Sequence, residues 1–276
     1  MYYRTSPMSL GGRGSGCSGR LIMAAAIAIF SIISYFGTTQ NNPITGETQH
    51  ISITPEQEIA LGLQAAPGME SEFGGEDTSA NDQAVVEQIG NNILQGSSAA
   101  SSPYQFDFHL LADPQTINAF ALPGGQVFIT RALYDKLQTE GELAGVLGHE
   151  IGHVIARHSA EQIAKTQLTE GLTGAAVIAA YDPNNPSSAQ SAQIAALIGQ
   201  LVTLKFSRDD ELEADKFGVC FMNEAGYDPN EMVSVMKILE ASATGNQPPE
   251  FFSTHPNPAN RIQQIQADIQ NINACP

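Results

Sequence analysis

The segment His149-Glu150-Ile151-Gly152-His153 constrains this chain more than any other. Its flanks, Leu143-Ala-Gly-Val-Leu-Gly148 before it and Ile155-Ala156 after it, are apolar, so it reads as the middle of a buried helix. Unpaired imidazoles in such a helix would be costly to bury. Side chains four residues apart on a helix lie ~40° from eclipsed and ~6 Å apart along the axis. Both imidazoles can therefore reach one metal ion from the same face. Glu150 projects beside that metal, placed to take a proton from a water that the metal activates.

Two histidines do not complete such a site. A catalytic zinc usually takes three protein ligands and leaves one position open. A third histidine six residues after His153, preceded by a glycine three residues after it, is one known solution, but Ala156 and Ser159 occupy those places. His158 lies ~140° round the helix from His153 and reads as packing or capping the helix end, with Arg157 favouring the C-terminal dipole. The better candidate is Ser207-Arg-Asp-Asp-Glu211-Leu-Glu-Ala-Asp215. Glu211 and Asp215 share a helix face at i, i+4. Glu211 can bind zinc while Asp215 hydrogen-bonds the far nitrogen of a zinc histidine. Asp209, Asp210 and Glu213 read as a solvated face, and so dense a set of like charges is awkward without a cation.

With these motifs the chain resembles the gluzincin metallopeptidases of the CAAX prenyl endopeptidase, HtpX and BepA type, on their soluble-domain, BepA-like branch. Asn118-Ala-Phe-Ala-Leu-Pro-Gly-Gly-Gln-Val-Phe-Ile-Thr130 and Ser253-Thr-His-Pro-Asn-Pro-Ala-Asn-Arg261 extend the resemblance, which runs from about residue 53 to 270. It implies a zincin-like endopeptidase acting on proteins or peptides, with one Zn2+ held by His149, His153 and Glu211, Glu150 as the base, and Asp215 supporting a ligand. Misfolded or misassembled envelope proteins are the expected substrates. The alternative is a zinc-binding chaperone or interaction module without turnover, against which the intact Glu150 argues. A processing enzyme for one prenylated peptide would need membrane spans in the catalytic part. His255, in a Thr-His-Pro turn, is the best spare donor for a transition-state oxyanion or for a loop that covers the metal. Arg261 reads as fixing that turn. The strand at Ala119 to Ala121 could take substrate as an added β-strand.

The net charge of −17, from 12 basic and 29 acidic residues, argues against nucleic acid as a partner. The N-terminus is a separate object. Arg4, Arg13 and Arg20 lead into Leu21 to Phe36, apolar apart from two serines, and no acidic residue precedes Glu47. This reads as an uncleaved membrane anchor, since Tyr35 and Phe36 spoil the obvious signal-peptidase site. The arginines then predict an extracytoplasmic catalytic domain, with an organelle transit peptide as the rival. Cys220 and Cys275 could pair in an oxidising compartment or remain two thiols; Cys17 stands apart.

Residues 1–40 are thus expected to form the signal or anchor, 41–53 a linker, and 54–276 the catalytic domain. Thr54-Pro55-Glu56 starts a helix that reaches about Ala66, followed by a loop from Pro67 to Asn81. Further helices are expected at 82–95, 140–157, 230–242 and 258–271, and strands at 105–111, 119–122 and 126–130. The apolar stretches 171–180 and 194–204 are too short to cross a bilayer and read as a helical hairpin on the zinc helix. The expected fold is α+β and mostly helical, with a small sheet beside the His149–His153 helix.

Overall fold

The computed structural model describes residues 15–180, 206–243, 248–257 and 260–275. A long helix α1 (Ser15–Gly37) leads into a two-stranded hairpin, β1 (Thr39–Asn41) and β2 (Thr48–His50). Next come α2 (Pro55–Glu72), α3 (Ala80–Gly96), and three strands, β3 (Asp107–Leu111), β4 (Ala119–Ala121) and β5 (Gln126–Thr130). A single turn α4 (Arg131–Tyr134) precedes α5 (Glu140–Ile155), α6 (His158–Ala180) and α7 (Arg208–Glu224). Helices α8 (Asn230–Ala241), α9 (Phe251–Thr254) and α10 (Arg261–Gln270) complete the chain. The fold is α+β and mostly helical, with small sheets.

The sheet order is β3-β5-β4, with β3 parallel and β4 antiparallel to β5. Every residue of β5 is buried because both of its faces are covered. Phe108, Leu110, Val127 and Ile129 turn toward α3 and α5, in the main core. Phe120 and Phe128 turn the other way and stack at 5.0 Å, where Ala65, Ala66 and Met69 of α2 cover them. The central strand therefore fixes α2 on one side and α5 on the other, and β4 is left as an edge.

Helix α2 does not stop before Pro67 but runs through it to Glu72. A mid-helix proline forfeits one backbone bond, at about 3 kcal/mol. Leu63, whose carbonyl loses that partner, is exposed to water, and the turn beyond carries Met69 into the core beside Phe120. Burial of that last turn outweighs the lost bond.

The stretch expected as a linker is extended, but it pairs with itself as β1–β2 and docks on the end of α5. The Asn42 and Gln49 amides donate to the carbonyls of Ile155 and Ala156, which are carbonyls that a helix end leaves free. Beyond them Arg157 takes a positive φ of 60°, which costs a non-glycine residue about 1–2 kcal/mol. Arg157 does not serve the helix dipole. Its guanidinium forms a buried ion pair with Glu58 of α2 and also donates to the Ile53 carbonyl, so one side chain ties the end of α5 to the start of α2. Replacing Glu58 by alanine leaves that guanidinium buried without its partner, a change that costs about 3–5 kcal/mol. Denaturant unfolding is the measurement, and a loss under about 1 kcal/mol would show that the pair is not holding α2.

The residues 171–180 are helical. They continue α6, whose main neighbour is α1; a Cβ on Gly171 would come within 2.2 Å of Ser31 Oγ. The expected partner segment at 194–204 lies outside the described residues. Among the described residues no helix is long and apolar enough to cross a membrane. The N-terminal run is helical all the same. Leu21, Ile22, Met23, Ile29, Phe30, Ile32, Ile33 and Phe36 are each 42–70% exposed.

Candidate metal centre

Two glycines bring α5 and α7 close enough to share a site. A Cβ on Gly152 would meet the Ala214 carbonyl oxygen at 2.8 Å, and one on Gly218 would meet the His149 amide nitrogen at 3.1 Å. With no side chains in the way, the Glu211–Asp215 face of α7 lies directly against the His149–His153 face of α5. Ser207 caps α7 in a reciprocal pair with Asp210, whose carboxylate accepts from the Ser207 amide at 2.7 Å. Asp210 is thus a buried cap, not part of a solvated face.

The Nε2 atoms of His149 and His153 stand 3.0 Å apart. Glu211 places Oε1 3.4 Å from the His153 Nε2 and Oε2 3.6 Å from the His149 Nε2. His255, at the end of α9, puts Nδ1 3.0 Å from Glu211 Oε1 and 3.4 Å from His149 Nε2. These four groups can offer ligand atoms that all lie within 4.8 Å of one another, and all four residues are buried. Glu150 is fully buried at their edge, 3.7 Å from His255 Nε2, with neither carboxylate oxygen hydrogen-bonded.

The outer nitrogens of the two imidazoles have partners. His149 Nδ1 lies 2.9 Å from Asp215 Oδ1; an ionised carboxylate only accepts, so Nδ1 carries a proton and, in the neutral ring, Nε2 is bare and keeps the lone pair. His153 Nδ1 lies 2.8 Å from His158 Nδ1, and His158 Nε2 lies 3.1 Å from Glu213. If Glu213 accepts from His158 Nε2, then His158 Nδ1 accepts from His153 and the second Nε2 is bare too. His158 and Glu213 are therefore not a helix cap and a solvated acid but a relay that sets one imidazole.

Sequence reasoning also understates Arg261. It does not only fix a turn: its Nε and Nη2 donate to Asp215 at 2.6 and 2.9 Å, and Nη1 pairs with Glu211 at 2.9 Å. Aromatic rings close the remaining sides. Phe206 stacks on His153 at 4.1 Å and Phe251 on His255 at 4.4 Å. Arg261 ends the Ser253–Arg261 motif, which was its sequence signal; Phe206 carried none.

Burial pushes the Glu150 carboxyl above its ordinary range, partly offset by His255 and His149. Burial likewise holds His153 well below its usual value, so its imidazole is neutral and keeps a lone pair. Glu211 is pulled well below the carboxylate range: burial opposes this, but the charge of His255, a hydrogen bond from His255 and the charge of Arg261 outweigh it.

A sequence model of peptidase family M48 matches residues 80–269. The chain belongs to peptidase family M48. It is 31% identical to the mitochondrial metalloendopeptidase OMA1 of Schizosaccharomyces pombe over 251 residues, 90% of this chain and 70% of that protein. Against the beta-barrel assembly-enhancing proteases of Escherichia coli (strain K12) and Yersinia pestis it is 29% and 33% identical, over 79% and 64% of this chain. It spans only 46% and 37% of those two proteins. The M48 match begins within α3, so α1, the β1–β2 hairpin and α2 lie outside it.

Membership of M48 implies a divalent metal, and the residues fit one. Two bare imidazole nitrogens 3.0 Å apart, flanked by a buried carboxylate, form a set that a cation would stabilise. Buried polar atoms are normally hydrogen-bonded, yet His255 Nε2 and both Glu150 oxygens are not. Neutral imidazole with carboxylate is a donor set suited to zinc.

Proposed function

We propose that this chain is a zinc endopeptidase in which His149, His153 and Glu211 hold the metal and Glu150 moves the proton. The convergence of two imidazoles and one carboxylate beside a second, unpartnered carboxylate carries the reading. When bound, zinc supplies a Lewis acid that polarises the scissile carbonyl and lowers the pKa of water. Glu150 then accepts the proton of the attacking water on its carboxylate and delivers it to the leaving nitrogen. Its raised affinity for a proton suits both halves of that task. Asp215 and the His158–Glu213 pair hold the two imidazoles in the tautomers that leave Nε2 free. The aromatic rings of Phe206 and Phe251 keep bulk water from the charged groups.

Of the two roles that the sequence allows His255, covering the metal fits better than donating to an oxyanion. Its Nδ1 faces the ligand atoms themselves, so the turn that carries it lies over the site. The edge strand β4 offers free backbone groups to an extended substrate, which suits unfolded segments of many sequences. With relatives named as beta-barrel assembly-enhancing proteases and OMA1 metalloendopeptidases, misfolded or misassembled envelope proteins are the substrates we favour.

We further infer that α1 associates with a membrane. A helix apolar all round belongs in a core or in lipid, and most of the large apolar side chains of α1 face outward. Arg4, Arg13 and Arg20 favour an extracytoplasmic active site; an organelle membrane would fit the same helix.

Glu211→Ala tests the ligand set. Loss of one of three ligands is expected to lower bound zinc below half an equivalent after dialysis and casein hydrolysis by at least ~100-fold. Full zinc with full activity in this variant would overturn the assignment of Glu211.

A further inference from the structure

We propose that the cavity beside the metal centre is a subsite selecting a large apolar side chain, of leucine or phenylalanine size, at the substrate residue flanking the cleaved bond. This rests on the endopeptidase reading above and adds to it a substrate preference.

The cavity has a volume of about 260 Å³, larger than the roughly 150 Å³ cavity that can hold benzene. Met69 and Phe73 form one wall, Phe120 and Leu122 another, and Phe206 and His255 the side toward the metal. The last two are the link to the reaction: Phe206 stacks on His153, and His255 touches Glu211. A side chain in this cavity therefore belongs to a residue within reach of the bond to be cut.

Strand geometry gives the same placement. Side chains directly opposite in paired strands project to the same face. Phe120 is the middle residue of β4 and points to the α2 side, where it stacks on Phe128 and Phe73 at 5.0 and 5.3 Å. A substrate strand paired on the free edge of β4 therefore turns the side chain opposite Phe120 into this cavity. Alanine there would leave most of the space unfilled. Aspartate would meet apolar walls and the exposed carboxylates of Glu72 and Glu250 at the rim.

Met69 and Glu72 of α2 and Phe73 at its end lie ahead of the M48 segment. Met69 and Phe73 are the residues assigned to set the preference.

The experiment uses fluorescence-quenched peptides that differ at single positions around the cut, with Leu, Phe, Ala or Asp at each. Wild-type enzyme gives kcat/KM, and the Glu150→Gln variant gives affinity without turnover. The expected result is a preference for Leu or Phe over Ala of at least about tenfold, confined to one position flanking the cut, and a larger one over Asp. Met69→Trp, which fills the cavity, is expected to bring the Leu-to-Ala ratio close to 1. Phe73→Ala, at a half-buried and more tolerant place, is expected to flatten it as well, and thermal unfolding identifies any variant that has not folded. A ratio near 1 in wild type, or one that neither substitution moves, overturns the subsite. If the preference holds in binding to Glu150→Gln but wild type cuts no peptide, the subsite stands and the endopeptidase reading falls.

Discussion

Glu150→Gln is expected to reduce casein hydrolysis by about 10²–10⁴-fold, the usual worth of a positioned general base, while leaving zinc content unchanged. The substitution keeps the size and planarity of the side chain and removes only its ability to accept and return a proton. Glu150 makes no hydrogen bond in the structure and lies 3.7 Å from His255. No network collapses with it. Its carboxylate is moreover expensive to bury, since burial holds its pKa above the ordinary range. A neutral amide at this place relieves that cost, so the variant is expected to unfold at the same temperature as wild type or slightly above it. A catalytic defect with unimpaired stability and metal content separates a proton carrier from a structural carboxylate. Metal analysis, a melting curve and single-turnover hydrolysis on one preparation make the measurement. Retention of more than a tenth of the wild-type rate would assign the proton transfer to another group.

What the sequence made legible follows from the range of the interactions involved. The pairing of His149 with His153, and of Glu211 with Asp215, is set by the helical repeat, which any four-residue spacing exposes. The juxtaposition of the two helices is less local. It depends on Gly152 and Gly218 allowing a close crossing, a cue visible in the sequence only once both helices are known to meet. His158 was misread because rotation round an unbroken helix carries it away from His153. The chain in fact breaks at Arg157, with φ at 60°, and the break swings His158 back to its neighbour. Pro67 misled in the opposite sense, as a local stop signal overridden by burial of Met69. Whether Cys220 and Cys275 pair was open because a separation of 55 residues has no preferred geometry; in the fold their Cα atoms are 5.6 Å apart and the disulfide is formed.

The same limit of range hid Arg261, and its removal is expected to have the largest effect on stability in the site. Arg261 is 2% exposed and faces two buried carboxylates, Asp215 and Glu211. Burying such a group is tolerable only because the charges are mutual, and deleting one partner of a buried pair costs about 3–5 kcal/mol. Arg261→Ala is therefore expected to destabilise the protein by that amount. Asp215 would also lose the fork that aims it at His149 Nδ1, so zinc affinity is expected to fall by about 10–100-fold, the usual cost of losing an outer partner. The two effects are linked. Zinc brings positive charge to the carboxylates that Arg261 balances, so the stability loss should be larger after chelation than with zinc bound. A residue that merely braced the Thr254–Pro256 turn would show equal losses in both states. Arg261→Lys separates charge from shape: a compact ammonium restores the charge but cannot span both carboxylates as the planar fork does. It should recover part of the stability and little of the zinc affinity. Paired unfolding curves with and without chelator, together with a competitive zinc titration, measure these quantities. Wild-type stability in Arg261→Ala after chelation would show that Asp215 and Glu211 are balanced by other means.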